Sequence, residues 1–223
     1  MAFSVAIDGP AGAGKGTISK FISGKFHLKH LDTGLLYREA ARLVIQEGVD
    51  VLDVVRLEEV AHKVDTRRMI ENNLRSENIA AVASQIAVVP SLRRVLTQKM
   101  RDFSNNLEPI YQGIVLDGRD VATVILPQAD VKLYVTADEQ VRALRRTKEL
   151  DESSLQKVLQ EIKLRDNRDK NRQAAPMQIV DDAIVLDTTF LNIEEVCQKA
   201  YKIVENAILN WQQASAKSCI SSK

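Results

Sequence analysis

Cysteine, aromatic side chains and any surplus of one charge are scarce in this chain of 223 residues. The two cysteines, Cys197 and Cys219, have no metal-ligand spacing and form no disulfide framework, which predicts a reducing compartment. Aromatics make up 4% and the formal net charge is +1, so no global field draws the chain to nucleic acid or to an anionic membrane. No apolar run approaches the roughly 18 residues that span a bilayer. The N-terminal stretch lacks a basic region and Asp8 interrupts its apolar run, so a signal peptide is not expected. His27, His30 and His62 show no ligand spacing and are expected to be structural or exposed. These absences predict a soluble cytoplasmic protein with no nucleic-acid or membrane partner; a monomer is expected, although no feature of the composition argues it.

What is present is a core and a loop. Hydrophobic residues make up 45%, enough for one large domain. Near the N-terminus stands "IDGPAGAGKGT", residues 7–17, with an apolar β-type run before it and Ile18, Phe21 and Ile22 at helical spacing after it. Strand, glycine loop and helix together form a phosphate cradle: backbone N–H groups face one concavity and the helix N-terminus adds partial positive charge. Gly9, Pro10, Ala11, Gly12, Ala13, Gly14, Lys15, Gly16 and Thr17 are therefore the candidate ATP-phosphate residues. Lys15 would reach the outer phosphates and Thr17 would offer its hydroxyl to Mg²⁺. That hydroxyl comes one place later than in the strict pattern, because Gly16 follows the lysine.

Strand-like runs at 4–7, 29–32, 114–117, 131–135 and 183–187 alternate with helical patterns at 15–26, 35–47, 138–150 and 192–210. Continuous apolar runs ending in a polar residue are what parallel strands covered on both faces look like. The expected fold is α/β, a three-layer phosphate-loop NTPase-like architecture with a five-stranded parallel sheet. Residues 1–52 and 104–223 would form the core of a single domain. A mostly helical insert at about 53–103 and a lid at about 152–172 would be added at the strand ends. Trp211 is expected to dock the last helix, and the tail "ASAKSCISSK" to fray.

Three further motifs carry charge to the strand ends. In "LDTGLLYR" Asp32 and Thr33 are suited to cap a helix that carries Tyr37 and Arg38. In "IVLDGRD" an apolar run delivers Asp117 to the sheet edge, where a carboxylate serves Mg²⁺ directly or through a water, followed by Arg119 and Asp120. In "RDNRDKNR" Arg165, Arg168 and Arg172 recur at i, i+3 and i+7 with Asp169 between them. Stacked cations repel. The segment is therefore either a solvated face balanced by Asp166 and Asp169, or the wall of a cleft that holds an anion.

In their order along the chain, "IDGPAGAGKGT", "LDTGLLYR", "ASQIAVVPSLR", "LDGRDVATVILPQADVKLYV", "EIKLRDNRDKNR" and "AIVLDTT" resemble the bacterial-type cytidylate kinases of the nucleoside monophosphate kinase group. The resemblance covers nearly the whole chain, and in that group a glycine between the lysine and the threonine is usual. It implies transfer of the γ-phosphoryl group of ATP to CMP or dCMP with Mg²⁺ as cofactor. It also implies that Thr33, Tyr37 and Arg38 face the acceptor, that Ser84, Arg93 and Asp120 read its base, and that Asp169 holds its sugar hydroxyls. Arg38, Arg119 and Arg172 would hold the acceptor phosphate. Arg165 and Arg168 would belong to the closing lid, so Lys15, Arg119, Arg165, Arg168 and Arg172 form the catalytic set.

The chain departs from the family between His62 and Ser84. Its "KVDTRRMIENNLRSENIAAVA" is too short for the usual small antiparallel sheet, which implies an abbreviated acceptor lobe. A kinase preferring UMP or another small acceptor remains open at this point. A GTP-dependent switch also remains, although no Asn-Lys-x-Asp string for guanine is present.

Overall fold

The computed structural model describes residues 2–66, 74, 76–150 and 154–221. Five strands run parallel: β1 Phe3–Asp8, β2 Leu28–Asp32, β3 Gly113–Gly118, β4 Val131–Thr136 and β5 Ile184–Asp187. Their order is β2-β3-β1-β4-β5, so the chain leaves the central β1 and returns on both sides of it. Helices separate them: α1 Lys15–Phe26, α2 Thr33–Glu47, α3 Val54–Lys63, α4 Glu77–Ile86, α5 Pro90–Asn105, α6 Glu139–Leu150, α7 Leu155–Asn171 and α8 Ile193–Ser221.

The period of two along each strand divides the core into two layers. Val5 and Ile7 of β1 and Val115 of β3 pack with Ile18 and Ile22 of α1 and Val196, Ala200 and Val204 of α8. Ala6, Ile114 and Leu116 face the other way, onto Leu36, Ala40 and Val44 of α2. Leu57, Ile86, Leu92, Leu96 and Met100 join that second layer, so α3, α4 and α5 share the main core instead of forming their own. The expected three layers and the five parallel strands are present. Trp211 does dock α8, its ring edge-on to Phe3 with centroids 6.0 Å apart.

Two expectations fail. β5 was expected to be buried on both faces, but it is a sheet edge on which only Leu186 is buried. The last helix is expected to end at about 210 and the tail 214–223 to fray, yet α8 continues to Ser221, because nothing in the Ala- and Lys-containing tail breaks a helix already nucleated by its packed half. Of the stretch 63–83, where a hairpin is expected to be lost, residues 67–73 and 75 lie outside the described residues; the described remainder holds the end of α3 and the start of α4 and contains no strand. Among the described residues no single helix is long and apolar enough to cross a membrane.

Candidate active site

The C-terminal ends of β1, β2 and β3 open into a cavity of about 500 Å³ that reaches from the glycine loop to α4 and α7. Gly9 and Gly14 make the loop possible. Gly9 has φ 146°, and a Cβ there would sit 1.9 Å from the Val135 carbonyl oxygen of β4. Gly14, at φ 93°, turns the chain into α1 in the left-handed region that side chains avoid. Behind the loop the buried Asp8 carboxylate accepts from the N–H groups of Val121 (2.9 Å) and Ala122 (2.8 Å). It thereby fixes a π-helical turn, Val121–Ile125, directly after Asp120. Burial pushes the Asp8 carboxyl up to about 6, against these two donors.

Lys15 is buried, and its ammonium donates to the Pro10 carbonyl at 2.7 Å. Burial first, then the Arg119 guanidinium, lower it from 10.5 to about 7. Arg165 is lowered to about 10 by burial and by Arg119, so it stays a cation at neutral pH. Three cations converging where no fixed anion neutralises all of them is the electrostatic form of a polyphosphate site. A consequence is measurable. Above about pH 7 the free protein has released the Lys15 proton that the unfolded chain keeps to about 10.5, so this group's contribution to stability rises with pH across that window. Phosphate oxygens restore the proton. ATP binding at pH 8 is expected to take up a proton, seen as a calorimetric heat that depends on the buffer's ionisation enthalpy, and Lys15→Met is expected to abolish it. A buffer-independent heat at pH 8 would sink this account.

At the far end of the cavity the acidic and basic side chains close on one another. Asp120 accepts from Arg93 Nη2 at 2.5 Å through one oxygen and from Arg172 Nη2 at 3.1 Å through the other. Arg172 also donates to the Ala175 carbonyl at 2.6 Å and lies 3.7 Å from Asp169. Arg119 Nε donates to Asp169 at 3.0 Å. Burial opposes it, but Arg119, Arg165 and Arg172 hold the Asp169 carboxyl below its ordinary range. Arg93 spends Nη1 on the Ala87 carbonyl and lies 5.4 Å from the Tyr37 ring centroid. Thr33 gives its hydroxyl to the Asp117 carbonyl at 2.9 Å, Arg38 donates to the Leu74 carbonyl at 2.8 Å, and Asp32 caps α2 through Gly34 N–H. Arg168 is exposed and reaches the Ser84 hydroxyl only at 3.5 Å.

Every candidate site residue named from the sequence lines this cavity except Gly9, Pro10 and Arg93, and Arg93 is bonded to Asp120, which does. The solvated-face alternative for 165–172 is thereby removed: Asp166 and Asp169 are buried and have partners elsewhere in the fold. Sequence reading missed two contacts. Asp166 accepts from Ala11 N–H at 3.1 Å and from Arg142 Nη1 at 2.6 Å, and Arg142 also donates to the Ala11 carbonyl, so α7 is tied to the tip of the glycine loop. His30 lies 2.7 Å from Asp117. The basic run "VRALRR" of α6 was a signal for the first; nothing local announced the second.

For Mg²⁺ the donor chemistry fits a cation brought by its nucleotide. Among the described residues no group of three or more His, Cys, Asp or Glu suits a metal ion. Asp32 and Asp117 stand side by side on β2 and β3, and burial and then the Asp117 charge push the Asp32 carboxyl up. Thr17 is exposed at the start of α1. Magnesium is commonly held by one or two carboxylates together with substrate phosphates.

A family model described as cytidylate kinase matches residues 5–206. The cytidylate kinase of Bartonella bacilliformis is 40% identical over 210 residues, covering 92% of this chain and 96% of its own. That of Methylocella silvestris is 42% identical over 207 residues, covering 91% and 94%. Two solved structures share the fold at 13% identity. An uncharacterized protein from Eubacterium ventriosum has a TM-score of 0.55, covering 92% of this chain and 99% of its own. A sugar kinase from a Janibacter species has a TM-score of 0.52, covering 92% and 95%.

Proposed function

The chain belongs to the cytidylate kinase family, and on that premise we propose how its residues divide the reaction. The activity is ATP-dependent transfer of the γ-phosphoryl group to CMP or dCMP, giving ADP and CDP or dCDP. The observation that supports the assignment is that the glycine loop and the Asp120–Arg172 pair line one cavity, with Arg93 bonded to Asp120 behind it. Residues 9–17 hold the ATP phosphates. The segment 53–103 is the acceptor side and 152–172 the lid, within a single domain that acts as a monomer. Thr17 and Asp117 would hold Mg²⁺, directly or through water, and the ion would supply neutralisation of phosphate charge. Arg38, Arg119 and Arg172 align the acceptor phosphate, and Asp169 meets its sugar. Arg165 and Arg168 bring lid charge to the transferred group, with water excluded as α7 closes.

Base choice follows from hydrogen-bond inventory. Asp120 accepts from the exocyclic amino group of cytosine, and Ser84 completes that edge. Arg93 has donors left after Asp120 and Ala87 for the ring nitrogen and the neighbouring oxygen. Uracil sets a carbonyl against the carboxylate and a ring N–H against the guanidinium. Each buried mismatch costs about 1–3 kcal/mol, so CMP is expected to exceed UMP at least tenfold in kcat/KM. Arg93→Met is expected to lower efficiency with CMP far more than with UMP. A wild-type CMP/UMP ratio in that variant would remove Arg93 from base reading.

A further inference from the structure

His30 is a histidine that the division of labour above does not use, yet the fold gives it a defined task. It precedes Asp32 by two residues on β2, so both side chains lie on the α1 face of the sheet, while Leu31 faces the opposite layer. In the register of the two strands Asp32 stands opposite Asp117. His30 reaches diagonally forward, Nε2 to Asp117 Oδ1, at 2.7 Å. A carboxylate only accepts, so this contact places the proton on Nε2.

Asp117 is thus gripped at two points from one short stretch. Thr33 holds its main-chain carbonyl and His30 holds one carboxylate oxygen. The side chain is 5% exposed, and Asp117 lines the cavity beside Lys15, whose ammonium it supports electrostatically. A buried carboxylate with one oxygen fixed has one direction left for the other. We propose that His30 is a positioning residue for the transfer reaction, fixing the Asp117 carboxylate by one oxygen so that the other is presented toward the cation accompanying ATP. This rests on the reading of Asp117 as the metal-side carboxylate. Partners that orient a ligand from behind contribute about 10–100-fold to metal affinity or activity.

The test is the affinity of ADP with and without Mg²⁺, by titration calorimetry, on the full chain. In His30→Phe the gain in affinity that Mg²⁺ confers is expected to shrink about tenfold. Metal-free ADP binding and CMP binding should be unchanged, and His30→Gln, which keeps an N–H at similar reach, should restore the gain. The smaller His30→Leu serves the same comparison should the phenylalanine fail to fold. An undiminished Mg²⁺ gain overturns the proposal, as does an equal loss for metal-free ADP and CMP, or a glutamine that restores nothing. Asp117→Asn separates the two ways of failing. If it keeps the gain, the metal reading of Asp117 is wrong; if it loses the gain while His30→Phe keeps it, only the role of His30 falls.

Discussion

Lys15→Ala is expected to lower kcat by on the order of a hundredfold or more while leaving the fold intact. Phosphoryl transfer asks the protein for alignment and for cations where negative charge gathers on the transferred group. In the proposed division of roles Lys15 meets that need from a fixed position, anchored on the Pro10 carbonyl of its own loop. The same environment makes its charge unwelcome in the free protein, since burial and Arg119 lower it to about 7. At pH 6, where the wild-type ammonium is held charged against that burial, the alanine variant should therefore be no less stable. Loss of turnover without loss of stability is the signature to look for, by steady-state kinetics beside circular dichroism and chemical denaturation. Near-wild-type turnover in a folded variant would take Lys15 out of the phosphate site.

Much of this site was legible because the loop is local. Gly9 through Thr17 carry their geometry in consecutive residues; β2 ends in Asp32, and Asp117 follows the apolar run Ile114–Leu116 near the end of β3. The register that sets those two carboxylates side by side follows from parallel pairing of β2 and β3. What could not be read joins residues far apart in sequence. Asp166 reaches Ala11, Arg142 reaches Asp166, and His30 reaches Asp117. No periodicity encodes such pairs, and each arginine in "RDNRDKNR" looks alike until the fold gives it a partner. Arg172 turns inward to Asp120 and Ala175, whereas Arg168 remains exposed. The edge position of β5 was hidden for a related reason: an apolar run is the same string whether the sheet continues beyond it or stops.

The tie between α7 and the glycine loop gives lid closure a physical handle. Both main-chain polar groups of Ala11 are engaged, its N–H by Asp166 and its carbonyl by Arg142. The cations of α7 are thus carried on an element tied to the tip of the glycine loop. α7 also meets α4, through Arg168 and the Ser84 hydroxyl at 3.5 Å and through Lys157 and Glu77 at 3.6 Å.

Asp120→Ala is expected to be the most damaging single change at the acceptor end. Its two oxygens neutralise Arg93 and Arg172, which are 4% and 8% exposed. Removing one partner of a buried ionic group leaves uncompensated charge and costs about 3–5 kcal/mol, and here two guanidinium ions lose their shared counter-charge. Arg172 keeps Asp169 and the Ala175 carbonyl, so the larger strain falls on Arg93, left with the Ala87 carbonyl. On the proposed base reading cytosine loses its amino acceptor in the same step, so kcat/KM for CMP should fall on the order of a hundredfold while ATP affinity holds. The two consequences separate in the double variant Asp120→Ala/Arg93→Met. With the stranded cation gone, much of the lost stability should return, because removing both partners is far less costly than removing one. Discrimination between CMP and UMP should stay lost. Urea denaturation and an acceptor panel on the same preparations decide it. A single variant destabilised by less than about 1 kcal/mol, or a double variant whose losses simply add, would mean that Asp120 is not the neutralising centre of this network.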